Sequence, residues 1–440
     1  MIFSSLQFLI FWFFAFLISR FKKLNSPLWI GIVGLIFYSF QGFFNFFILF
    51  YVYLIVSIYN IIKKKLALFI FLSLLPLLII KYLNFIVVDI LSFGSKIIFL
   101  ENLIIPPGLS FISFSAIALM IYLKNISENS KINLAYLYLF PQLIAGPIVE
   151  PKSLIPQLKK KNLIKLDDVF SGLFIFSIGI SIKIFFADSI GSYIDPIFNN
   201  LENYDSTKKI LALFLFSQQI FFDFNGYTLM AIGVGKTLGI NLPENFNAPY
   251  LSTSISQFWK RWHITLSNWI KNYVYIPLGG SRNGKYKQYL NIFIAMLVSG
   301  IWHGAGYNFI VWGLLHAIFI FFEKIFYFNS SKNFLKFLKI IYCYIVVTFL
   351  WLFFRINNIY DLNLFFADFS FLNFLDIKSF FFLIILFSLN YTQKFITIIS
   401  LNDIYKRINK IFVISLSFIL ITVCIIISKG VSQKFIYFNF

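Results

Sequence analysis

Long apolar runs broken by short polar clusters set the pattern of this chain. A helix crossing the hydrocarbon core of a membrane needs about 20 apolar residues at 1.5 Å per residue. The runs predict spans near 4–20, 28–41, 43–62, 66–80, 83–100, 108–123, 134–148, 168–187, 209–235, 288–302, 305–326, 335–354, 378–397 and 409–428. Several are short for a full crossing and read as tilted or re-entrant, so about 11–13 true crossings are expected. A transmembrane β-barrel would instead alternate in polarity over segments of about ten residues. The first run, "SLQFLIFWFFAFLISR", lacks a small-residue cleavage site and reads as a span rather than a signal peptide. No internal repeat or long linker is evident, and the longest polar stretch lies near 241–290.

Composition agrees with this pattern. Of 440 residues, 60% are apolar and only 12% charged, against about 25% charged in a soluble domain. Phe alone contributes 62 residues. That excludes a charge-covered soluble protein, a disordered chain and a collagen-like one. The expected fold class is therefore all-α: a polytopic membrane protein forming a single integral-membrane domain over 1–440.

The net charge is 37 − 17 = +20. In so apolar a chain this reads as Lys and Arg gathered in cytoplasmic loops against anionic lipid, with the bilayer as partner and no nucleic acid. Arg20, Lys22 and Lys23 follow the first run, Lys63, Lys64 and Lys65 the third, and Lys159, Lys160 and Lys161 fall four runs later. If every run crosses, all three clusters share one side. That side is the cytoplasm, which puts the N-terminus outside the cell. The stretch 188–208, with Asp188, Asp195, Glu202 and Asp205, then falls outside, and the carboxylate-free stretch 257–290 inside. Cys343 and Cys424 sit inside apolar runs without CxxC spacing and read as packing residues.

All three histidines, His263, His303 and His316, lie within 263–316, and no Asp or Glu occurs from 245 to 322. Ionisable side chains in a membrane are expensive and mark functional sites by default. Spacings of 40 and 13 residues, without HExxH or HxH, do not form a metal motif, so no metal is expected. No GxSxG elbow and no GxxxxGK[ST] loop is present. "AIGVGKTLGI" at 231–240 has the wrong spacing for a phosphate loop, and Gly233 reads better as a close helix contact. A histidine near membrane depth suits general-base chemistry, because its neutral form is favoured there and accepts a proton near neutral pH. It would deprotonate a hydroxyl attacking an acyl thioester, with no covalent intermediate required.

The stretch "YLFPQLIAGPIVEPKSLIPQL" at 138–158 opens a set of motifs that continues over 222–323. The later motifs are "FDFNGYTLMAIGVGKTLGINLPENFNAPY", "SISQFWKRWHITLSNWIKNYVYIPLGGSRNG" and "SGIWHGAGYNFIVWGLLHA". Together they resemble the membrane-bound O-acyltransferase (MBOAT) superfamily, in particular the bacterial branch of the alginate O-acetyltransferase membrane subunit. The resemblance implies a multi-helix fold around a central tunnel, with re-entrant or interfacial helices and a motif core at 138–323. It implies acyl transfer from a cytoplasmic donor, acetyl-CoA or another thioester, towards an extracytoplasmic acceptor, with no permanently bound cofactor. The position matching the family's catalytic histidine is His303 in "WHGAG", and a second matches His263 in "RWH". "YIPLGG" at 275–280 favours O-acetylation over the D-alanine exporting branch. Two departures each remove a carboxylate: Leu229 stands where the branch commonly has Asp, and Lys271-Asn272 where it has Arg-Asp. Asp223 and Glu244 remain the nearest carboxylates in sequence.

On this basis His303 is assigned as general base and His263 as orienting the acyl carbonyl or assisting proton transfer. Trp259, Trp262, Asn268, Tyr273, Trp302, Asn308 and His316 are tunnel-lining candidates. The plainer reading of His316 is an interior hydrogen-bonded histidine, and that of Asn268, Tyr273 and Asn308 is helix-joining hydrogen bonds. Lys260 and Arg261 suit the phosphates of acyl-CoA, or serve topology alone. The expected protein is an inner-membrane O-acetyltransferase acting on an exported glycan such as alginate-like exopolysaccharide, cellulose or peptidoglycan. It would work with an extracytoplasmic acetyltransferase as partner. The alternatives are a D-alanine exporter fed by an acidic carrier protein and a non-enzymatic glycolipid flippase.

Overall fold

The computed structural model describes residues 3–20, 26–40, 42–92, 105–144, 146–160, 164–326, 333–356, 358–367, 377–428 and 435–436. Lys22, Lys23, Lys161 and the end of the expected 83–100 span lie outside these. Among the described residues every regular element is helical.

Among the described residues five helices are long and apolar enough to cross a membrane: Phe44–Ile62, Leu166–Asn199, Tyr307–Ile325, Asn333–Arg355 and Lys410–Ile427. A sixth candidate is a pair bent by 66°, Phe381–Lys394 with Ile398–Arg407, and shorter apolar helices include Leu6–Ser19, Pro27–Ser39, Leu66–Tyr82 and Leu109–Leu123. Polarity is inverted relative to a soluble protein. Phe13, Phe14, Phe71, Phe412 and Phe418 point outward, whereas Lys183, Asp223 and all three histidines are buried. Lipid solvates the first set at no penalty, and the second must find partners inside. The chain is a multi-pass membrane protein.

Two expectations change. The run 134–148 does not form one span. It breaks into Ser130–Leu137 and Phe140–Leu143, because Pro141 has no N–H for the Leu137 carbonyl and its ring would clash with it, whereas Pro is tolerated in the first turn of the second helix. Conversely, the helix expected to end near 187 continues as a wide π-turn over Ile182–Asp188 and then as Ser189–Asn199. Most of the expected outer loop 188–208 is therefore helical.

The described chain divides into two compact units. The first comprises Met1–Ile180, Tyr227–Pro243 and Ile408–Phe438. Its tight hairpin between Phe43–Ile62 and Leu66–Leu77 is turned by the basic triplet, with Lys63 and Lys65 at φ +53° and +54°. Aromatic rings fill its core, where Trp12 packs on Phe176 and donates its indole N–H to Thr237 at 3.0 Å. Gly233 is a helix contact here. A Cβ on it would lie 2.6 Å from the Gly172 carbonyl oxygen, so only glycine permits this approach.

The second unit comprises chiefly Ser181–Gly226 and Glu244–Arg407, and it carries the three histidines. Its helices Lys285–His303 and Tyr307–Ile325 form a hairpin crossing at Gly300 and Gly313. A Cβ on Gly313 would meet the Met296 carbonyl oxygen at 2.5 Å and Gly300 Cα at 3.3 Å. In the same unit, Lys183 in the π-turn bridges Asp188 at 2.6 Å and Asp223 at 2.7 Å, with 2% of its side chain exposed.

Candidate active site

The polar stretch after residue 244 folds into short helical pieces, of which Ile255–Trp259 carries its own cap. Ser254 caps Ile255–Trp259 by accepting from the Gln257 N–H at 3.0 Å. The Glu323 carboxylate accepts from the Ile255 N–H at 2.7 and 2.9 Å and from that of Ser256 at 3.4 Å. A negative charge at this end also complements the helix dipole. The piece so anchored presents Trp259, whose indole N–H donates to His316 Nδ1 at 3.2 Å.

His263 is fully buried and starts the helix Ile264–Ile270 from a left-handed backbone, φ +41°. That conformation is strained for a side chain with a Cβ. Asn245 holds it. The Asn245 carbonyl accepts from the Ile264 N–H at 3.0 Å, and its side-chain oxygen accepts from the Thr265 hydroxyl at 2.6 Å and N–H at 3.3 Å. Burial pushes the His263 imidazole down to about 3, so it stays neutral at physiological pH.

His303 ends the Lys285–His303 helix, and Gly304 begins the extended link to the next. The Gly300–Gly313 crossing brings this end against Trp312. Tryptophan rings then connect all three histidines. Trp302 lies 6.0 Å from His263 and 4.9 Å from His303, between ring centroids. Trp312 lies 5.0 Å from His303 and 4.7 Å from His316. Phe354 closes over His303 at 5.0 Å. Most of these contacts are edge-to-face, the preferred geometry for quadrupolar rings. Among the described residues no three His, Cys, Asp or Glu side chains converge as a metal set would.

A mostly apolar cleft of about 240 Å³ opens beside this row. Its lining includes Trp259, Ser267, Lys271, Tyr275, Ser299 and Lys324. Ser299 precedes His303 by one helical turn, so the cleft approaches the histidine row along the Lys285–His303 helix.

The other candidates fall into three groups. Trp259 lines the cleft, Trp302 stands between two histidines, and His316 is interior and hydrogen-bonded. Trp262 belongs to an aromatic core with Phe246 and Trp351, each at 5.0 Å. Asn308 donates to the Phe353 carbonyl at 3.1 Å, joining two helices, and Tyr273 packs on Trp269 at 5.1 Å. Asn268 is exposed, as is Lys260, and Arg261 reaches the Ala248 carbonyl at 3.4 Å. The sequence reading missed Asn245 and Glu323. A carboxylate that reaches the motif is Glu323, the first acid after the carboxylate-free stretch.

The profile described as "MBOAT, membrane-bound O-acyltransferase family" matches residues 126–366, which include every residue of this site. The chain belongs to the membrane-bound O-acyltransferase family. Among its relatives, the protein named "Probable alginate O-acetylase AlgI" of Pseudomonas aeruginosa is 36% identical over 287 residues, 63% of this chain and 55% of that protein. The "Peptidoglycan O-acetyltransferase" of Helicobacter pylori is 37% identical over 291 residues, 59% of this chain and 55% of that one. The "Teichoic acid D-alanyltransferase" of Bacillus subtilis is 29% identical over 241 residues, 51% and 61% respectively. The matched region thus spans little more than half the length of these MBOAT relatives.

Proposed function

We propose that this protein is an O-acyltransferase that moves an acetyl group from a cytoplasmic thioester, acetyl-CoA, across the inner membrane for O-acetylation of an exported glycan. The observation that carries this reading is the position of His303. It ends a helix, walled by Trp302, Trp312 and Phe354, one turn beyond a cleft that bears Lys271 and Lys324. Two lysines at a mostly apolar cleft suit a donor with an anionic head and an acyl thioester end. His303 takes the proton of the acceptor hydroxyl as that oxygen attacks the thioester carbonyl. The C–S bond breaks, the proton passes to the departing thiolate, and no acyl-enzyme forms. Neutral His263, across Trp302, orients the carbonyl. The acceptor is a glycan hydroxyl or the side chain of an extracytoplasmic partner that passes the group on.

The names of the relatives support acetyl transfer to a glycan, and "YIPLGG" at 275–280 favours acetyl over D-alanyl. The test is ester acetate released by mild base from cell-surface glycan fractions of deletion, wild-type and His303→Ala strains at matched protein abundance. Loss of ester from one fraction in both mutants is expected and identifies the acceptor. Unchanged acetate in every fraction overturns the acetyl reading, and loss of D-alanine esters instead establishes the alternative.

A further inference from the structure

Within the histidine-bearing unit a second cavity opens, of about 620 Å³, a size typical of small-molecule sites. It differs in character from the cleft beside Trp259. Asn199, Asn200, Glu202, Asn203, Tyr360 and Asp361 supply its polar lining, and Arg355 its cation. Asn199 and Asn203 make no side-chain hydrogen bond among the described residues. The Tyr360 hydroxyl donates to Glu202 at 2.8 Å. Hydrogen bonding to that carboxylate pushes the phenol above its ordinary value, keeping it protonated.

The cavity and the histidine row share the end of one helix, Asn333–Arg355. Arg355, on the cavity wall, directly follows Phe354, whose ring packs on His303. The donor-side cleft instead runs back from His303 through Ser299 towards Lys324. Two cavities of opposite polarity thus lie on helices that bear on His303, one on its own helix at Ser299 and one at the helix end that follows Phe354.

Charge narrows the ligand. The Arg355 guanidinium is neutralised by Asp195 at 2.8 Å and lies over the Phe198 ring at 4.9 Å. Glu202 and Asp361 then leave the lining net negative. An anionic polymer would enter against that field, while carboxylates accept from sugar hydroxyls and asparagine amides match hydroxyl and acetamido groups in both directions.

We infer that this cavity is the acceptor subsite and takes an uncharged, hydroxyl- and amide-rich saccharide rather than a polyuronate. The inference rests on the O-acetylation reading for the word acceptor, but the binding itself is independently testable. Full-length protein in nanodiscs would be titrated with N-acetylated chitotetraose and with tetramannuronate, using saturation-transfer difference NMR. The neutral sugar should bind at least about tenfold tighter. The Asn203→Ala/Tyr360→Ala variant should lose about tenfold of that affinity, the scale expected for two polar contacts. Glu202→Gln should narrow the preference. Equal or tighter binding of the uronate, affinity unmoved by the variants, or a cavity protected only by a bound protein overturns the inference. Saccharide binding without His303-dependent acetyl transfer would instead overturn the function and leave the subsite standing.

Discussion

Trp259 donates its indole N–H to Nδ1 of His316 at 3.2 Å. An indole nitrogen can only donate, so Nδ1 must be the unprotonated nitrogen and the proton must sit on Nε2. That leaves a buried N–H donor on Nε2 with no partner among the described residues. The bond also reaches between the capped piece held by Glu323 and the Tyr307–Ile325 helix, so one contact sets both a tautomer and a helix position. Trp259→Phe should release the tautomer and lower acetyl transfer by up to about tenfold, the scale of one hydrogen bond. Nitrogen-15 NMR of labelled histidine would read the tautomer directly. An Nδ1–H signal in the wild-type protein would disprove the assignment.

The strained turn at His263 should depend on Asn245. Asn245→Ala removes the acceptor for the Thr265 hydroxyl and N–H, leaving buried donors at a cost of about 1–3 kcal/mol. Transfer should fall about tenfold or more at matched abundance, with Thr265→Val showing a smaller loss. Protonation of His263 should not shape the pH profile near neutrality. Its pKa in the folded protein is pushed down from its ordinary value to about 3 by burial, so it charges only as pH falls through that value. The unfolded chain takes this proton below about 6.5, so the stability held by neutral His263 erodes as pH drops from there towards 3. An acid limb between about pH 5 and 7 should therefore keep its midpoint in His263→Gln.

The Gly300–Gly313 crossing positions His303. Gly313→Ala would put a methyl 2.5 Å from the Met296 carbonyl oxygen, contact that backbone cannot relieve without moving a helix. Overpacking of this kind costs about 1–3 kcal/mol. Thermal unfolding in detergent should show it, with transfer activity falling in parallel. Val311→Ala, on an outward position of the same helix, should change neither.

Lys183 holds two carboxylates among buried helices. Lys183→Met leaves Asp188 and Asp223 uncompensated and should destabilise by about 3–5 kcal/mol. Adding Asp223→Asn should recover part of that loss. If the double variant melts no higher than the single one, the pairing carries no coupling energy.

Local chemistry was legible in the sequence where it acts over a few residues. Apolar runs marked Phe43–Ile62, Asn333–Arg355 and Lys410–Ile427 as helices, because a helix in lipid satisfies its own backbone whatever surrounds it. The clustering of three histidines in a carboxylate-free stretch marked the site, and the spacing around Gly233 marked a helix contact. The same reading failed at 134–148, where apolar content outweighed the breaking power of Pro141, and at 188, where an acidic residue suggested a loop although Lys183 neutralises it inside a helix.

Hydropathy and motif order by themselves determined the class of fold and the membrane setting, and singled out His263 and His303 as candidates. Tertiary structure alone decided which tryptophans touch them, that Glu323 reaches back 68 residues to Ile255, and that Arg355 and Ile356 wall a polar cavity with Asn199, Glu202 and Tyr360. The reason is physical. Helix formation in a membrane is a local response to apolar composition. Side-chain pairing across helices depends on crossing points such as Gly300 and Gly313, and no single segment carries those distances.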